Sequence, residues 1–85
     1  MKNIKGIKKA AGEATQALKT GLSVIISYDT QKNEVWADIH ASTNNWLEYH
    51  NPNIISVAQY NGLFKQKVTQ AEIRENITLA LNERR

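Results

Sequence analysis

Two short patterns in this chain are of a kind that does chemistry, Asp38-Ile39-His40 and Glu48-Tyr49-His50. Each sets a carboxylate two residues before an imidazole, and on extended backbone such a pair points to one side. Together they could offer two imidazoles and two carboxylates to a metal such as zinc. The spacing matches no known metal signature, and chance produces it readily. His40 and His50 could also act as acid and base in a metal-independent ribonuclease, with lysines holding the phosphate. No serine lies in a Gly-x-Ser-x-Gly elbow, the strained turn that exposes a nucleophile in serine hydrolases. The chain has no cysteine, which removes disulfides and thiolate zinc sites and fits a reducing compartment. No catalytic residue, metal ligand or cofactor is therefore assigned, and the expectation is a protein that is not an enzyme.

A second group of residues points to contact. Trp36, Asp38 and His40 alternate with Val35, Ala37 and Ile39, so on a strand they share one face. Ser23, Ile25 and Ser27 line the same side of the preceding run. If the helices cover the other face, this one stands open, and an exposed tryptophan and isoleucine on a small protein mark a contact site. Trp46, Tyr49 and His50 follow closely. The candidate partner-binding set is Trp36, Asp38, His40, Trp46, Tyr49 and His50, with a homodimer through the open face as one outcome. The competing expectation is that Trp46 and Tyr49 fold back as a lid over a thin core.

These side chains must be positioned by a β-hairpin from Gly21 to Ala41. Leu22, Val24, Ile26 and Tyr28 form one apolar face, and Val35, Ala37, Ile39 and Ala41 continue it, the period of a half-buried antiparallel sheet. Asp29 can accept backbone bonds at the entry to the turn, and Asn33 tolerates the left-handed conformation at its exit. Ile54–Tyr60 reads as a third strand of ambiguous face, stopped by Asn61-Gly62. Residues 3–20 read as an amphipathic helix with Ile4, Ile7, Ala11, Ala14 and Leu18 inward; Gly6 and Gly12 weaken it, so a start near Ile7 fits. Gly21 is placed to end it. A last helix starts at Thr69, whose spacing to Glu72 is that of a capping box with Val68 and Ile73 as the staple. Ile73, Ile77, Ala80 and Leu81 are its inward stripe. Leu63 and Phe64 are expected to plug the gap between sheet and helix. The fold class is α+β, a single α-β-β-β-α domain over residues 1–85 with a three-stranded antiparallel sheet and both helices on one face.

The formal net charge of +3 is unevenly placed. Residues 1–20 carry a net +4, residues 21–63 a net −3, and residues 64–85 a net +2. Basic helices beside an acidic sheet could meet nucleic acid or an acidic protein surface. The order of elements is similar to that of the double-stranded RNA-binding domain, a family that grips phosphates with lysines at the start of its last helix. Here that region offers Lys65, Gln66 and Lys67 before Thr69, then Glu72 and Glu75. The cluster is diluted and partly cancelled, so the resemblance extends to the outline alone. Some small toxins that cut RNA share the same order. Lys5, Lys8, Lys9, Lys19, Lys65 and Lys67 are the candidate nucleic-acid-binding set, and binding through them would weaken steeply with salt.

No segment has the length to span a bilayer and no signal-peptide run follows the basic N-terminus, so no membrane partner is expected and the localisation reads as cytoplasmic. The leading expectation is a small non-enzymatic protein acting by protein–protein contact. Its size suits a phage or mobile-element inhibitor of host nucleic-acid machinery, comparable to anti-CRISPR proteins, with a host nuclease or nucleoprotein complex as the partner. A nucleic-acid-binding module is the alternative, and a ribonuclease using His40 and His50 is third.

Overall fold

A computed structural model describes residues 3–41, 50–62 and 67–83. The element order is α1 (Ile7–Lys19), β1 (Ser23–Asp29), β2 (Glu34–His40), β3 (Ile54–Tyr60) and α2 (Gln70–Asn82). The α-β-β-β-α order and the antiparallel sheet agree with the expectation from sequence. The sheet runs β2-β1-β3, with β1 antiparallel to both neighbours. β1 takes the centre because it is the strand that can be buried on both sides; all seven of its residues are buried. β2 and β3 therefore run in the same direction.

One face of the sheet carries the core. Val24, Ile26 and Tyr28 of β1, Val35 of β2 and Tyr60 of β3 pack with Ala10, Ala11, Ala14, Ala17 and Leu18 of α1 and with Ile73, Ile77 and Leu81 of α2. Both helices thus lie on this face. The four alanines let α1 sit close to β1 and β2, while the larger isoleucines of α2 reach across to β3. Ala80 of the expected α2 stripe is only half-buried. Asn76 donates from its Nδ2 to the Tyr60 hydroxyl at 3.1 Å, tying α2 to β3.

The ambiguous face of β3 is resolved by a β-bulge. Ile26 opposes Ala58 and Ser27 opposes Ser56, so Val57 is the extra residue. The bulge shifts the alternation by one, and Ile55, Val57, Ala58 and Tyr60 all reach the core.

The helix boundaries follow from their caps. α1 starts at Ile7, the start that the weakening effect of Gly6 and Gly12 points to, and residues 3–6 before it are not helical. Gly6 holds φ +90°, and the Lys5 N–H donates to the Asn33 carbonyl while the Val35 N–H donates to the Lys5 carbonyl, both at 2.9 Å. The N-terminal segment so forms a short parallel bridge along the outer edge of β2. At the other end, Gly21 has φ +82°. The Leu22 N–H reaches the Ala17 carbonyl and the Gly21 N–H the Leu18 carbonyl, the paired bonds of a Schellman termination. The Thr69 Oγ1 accepts the Glu72 N–H at 3.1 Å and also donates to the Glu72 carboxylate at 3.2 Å. The hairpin turn is built as its residue types predict. The Asp29 carboxylate accepts the Gln31 and Lys32 N–H groups, and Asn33 takes φ 52°.

Candidate functional site

The hairpin register sets Asp29, Ser27, Ile25 and Ser23 of β1 opposite Glu34, Trp36, Asp38 and His40 of β2. Cross-strand partners share a face, so these eight residues lie on the side away from the helices. That face is not open at its centre, as the sequence pattern had suggested. Ser23, Ile25 and Ser27 have essentially no exposure. On the same face Ile54 and Ser56 of β3 are half-buried and Gln59 is exposed, and Trp36, Asp38 and His40 form a half-buried strip along β2.

Within that strip the structure brings Trp36 and Asp38 together. The Ser27 hydroxyl donates to the Asp38 Oδ2 at 2.6 Å. The Trp36 indole N–H donates to both carboxylate oxygens at 3.1 Å. Bonds to an ionised acceptor are among the stronger ones in proteins, and Ser27 lies one diagonal step across the ladder from Asp38. A buried hydroxyl thus fixes a half-buried carboxylate, and the carboxylate fixes the indole. The Ser27 Oγ is spent on Asp38 and buried, so it is not presented as a nucleophile. The arrangement is suited to holding a flat aromatic surface still.

Alternation alone had placed Ser27 on this face without showing that it anchors Asp38. The diagonal bond depends on strand register, for which the sequence carries no separate signal.

The other candidates are placed as follows. His40 shares the face of Trp36 and Asp38, opposite Ser23. His50 is exposed. Trp46, Glu48 and Tyr49 lie outside the described residues, as do Leu63, Phe64 and Lys65. Among the described residues, no group of three or more His, Asp or Glu side chains is placed to hold a metal ion.

The described lysines of the nucleic-acid set, Lys5, Lys8, Lys9, Lys19 and Lys67, are all exposed. They fall into two groups. Lys9 lines a groove of about 390 Å³ where the start of α1 crosses β2, with Gly6, Glu13, Glu34 and Trp36 also on its wall. Lys19 and Lys67 line a larger cleft of about 810 Å³ between the end of α1 and the start of α2, with Leu18 and Val68 among its apolar walls and Glu72 at its rim. At a rise of 1.5 Å per residue, roughly 15 Å of helix separates Lys8 and Lys9 from Lys19. No local pattern of residues signals this cleft, since its two walls are almost fifty residues apart.

No family model, curated protein or solved structure matches the chain significantly. Among the described residues, no helix is long and apolar enough to cross a membrane. The fold and the site therefore define a class and no more, a small α+β domain with two helices packed on a three-stranded antiparallel sheet.

Proposed function

We propose that the chain is a non-enzymatic binding protein that works by protein–protein contact through the outer face of β2. Trp36 is its anchor, and Asp38 and His40 flank it. Trp46, Tyr49 and His50 belong to the same candidate set by their nearness in sequence. The observation that carries this reading is the relay from Ser27 through Asp38 to the Trp36 indole. A half-exposed tryptophan whose orientation is already fixed loses little conformational entropy on binding, and such aromatic residues dominate contact energetics. The partner class that suits the charge pattern is an enzyme or complex that handles nucleic acid. A basic α1 resembles part of a nucleic-acid-facing surface, and the acidic sheet can meet the basic groove that such partners use. An inhibitor from a phage or mobile element, of the anti-CRISPR kind, is the specific form of this proposal.

The division of the lysines between the two ends of α1 weighs against a nucleic-acid module, which is favoured by one continuous basic track. The experiment is capture of partners from a host lysate on immobilised protein, with and without nuclease. A defined protein retained after nuclease treatment supports the proposal. Nucleic acid that disappears with nuclease, together with every captured protein, would move the function to the lysines.

A further inference from the structure

The junction of β3 with the following segment holds a chemical liability that the fold suppresses. Asn61 is the one asparagine of this chain followed by glycine. In such a dipeptide the glycine nitrogen, once deprotonated, can attack the asparagine side-chain carbonyl carbon. A new N–C bond closes a five-membered succinimide, the C–N bond to the amide breaks, and ammonia leaves. Water then opens the ring at either carbonyl, to aspartate or to isoaspartate, whose main chain is longer by one methylene. The reaction needs no co-reactant other than water.

Three features act on this chemistry in the folded chain. Gly62 is buried, which disfavours the nitrogen anion. Its N–H donates to the buried Ser23 hydroxyl at 3.3 Å. Its Cα packs against the corner between α1 and β1, where an added Cβ would overlap the Leu22 carbonyl oxygen and lie 2.6 Å from the Leu22 carbonyl carbon. For the ring to close, the Gly62 nitrogen must give up its bond to Ser23 and move, and the tight seat of Gly62 against Leu22 resists that movement.

We infer that Asn61–Gly62 is a masked deamidation site, protected by the seat of Gly62 against Leu22 and Ser23, and that its conversion to isoaspartate makes local opening irreversible. In isoaspartate the Cβ of residue 61 joins the main chain just before Gly62, which lengthens the run into a glycine whose own seat has no room for a Cβ. A chain that has converted to isoaspartate cannot seat Gly62 in this corner again, whereas the aspartate product keeps the native main-chain length. Each opening of the β3 end thus carries a chance of permanent loss of the fold, which sets an intrinsic lifetime. This inference does not depend on what the β2 face binds.

The test incubates the folded protein in mildly alkaline buffer beside the same protein held unfolded in urea, with released ammonia and the mass of the Asn61–Gly62 peptide as readouts. The folded protein is expected to convert at least about tenfold more slowly, as exchange through local opening requires. Equal rates in the two states would overturn the masking. A denatured chain in which Asn61 converts no faster than the other asparagines would overturn the site itself. Ser23→Ala keeps Asn61–Gly62 and removes one restraint. While folded by circular dichroism, it is expected to convert severalfold faster than the wild type, and an unchanged rate would contradict the role given to Ser23. Isoaspartate-containing protein, separated from the aspartate product after conversion in urea, is expected to fail to regain the native spectrum, and full recovery would contradict irreversibility.

Discussion

Replacing Gly62 with alanine tests the tightest approach in the fold. The Cβ would overlap the Leu22 carbonyl oxygen and lie 2.6 Å from the Leu22 carbonyl carbon and 2.7 Å from the Gly21 carbonyl carbon. Overpacking costs about 1–3 kcal/mol where flexible side chains can shift aside. Here the obstacle is main chain, fixed by the α1 termination bonds of Gly21 and Leu22 and by the start of the central strand. We expect the cost at the top of that range, about 3 kcal/mol or more. A core of this size supplies only about 3–5 kcal/mol in total, so Gly62→Ala should leave much of the population unfolded at room temperature. The assay is urea denaturation followed by circular dichroism, with Gly21→Ala as the control. Gly21 has open space for a Cβ but φ +82°, so that change should cost about 1–2 kcal/mol for the left-handed backbone alone. A Gly62→Ala loss no greater than that of Gly21→Ala would refute the close approach.

Three further outcomes are expected. Gly12→Ala should stabilise by about 1 kcal/mol through helix propensity, because the added Cβ would meet only the Gln70 side chain at 3.5 Å; a drop in the melting midpoint would contradict this. Asp38→Ala removes the acceptor of the buried Ser27 hydroxyl and of the Trp36 indole. It should cost about 1–3 kcal/mol and increase indole mobility, read as lower tryptophan fluorescence anisotropy in a chain whose other tryptophan has been replaced by phenylalanine. Unaltered anisotropy would show that Asp38 does not orient Trp36. Reversing Lys5, Lys8 and Lys9 to glutamate should leave capture of a protein partner intact, whereas loss of binding together with a flatter salt dependence would identify phosphate contacts.

How much of this could be read in advance differs by element. The hairpin and α2 were legible because their signals are local. Alternation in Val24–Tyr28 and Val35–Ile39, the Asp29 and Asn33 turn chemistry, and the Thr69–Glu72 spacing each specify geometry over a few residues. The strand order was not legible, because β3 pairs with β1 at a separation of about thirty residues. The hint was Ile25, which makes β1 apolar on its second face as well. The bulge at Val57 broke the period of β3, so alternation gave contradictory faces there. Periodicity alone carries α1 back to residue 3, whereas its glycines point to the observed start at Ile7, which is set by Gly6, whose Cβ would overlap the Val35 carbonyl oxygen. At the candidate site, alternation put Trp36, Asp38 and His40 together correctly. It could not show that the middle of that face is buried, because alternation within a strand carries no information on what packs over Ser23, Ile25 and Ser27.

The measurement that bears most directly on the proposed binding face is quantitative capture of a nuclease-resistant protein partner by wild type and by Trp36→Ala, with the melting midpoint of each recorded alongside. Trp36 sits on the edge strand and is half-buried, so its truncation should cost about 1–2 kcal/mol of stability and leave the variant folded. The contact-face account predicts that the folded variant binds its partner at least about tenfold more weakly, the loss typical of an aromatic anchor. A folded Trp36→Ala that captures the same partner as strongly as the wild type would contradict it.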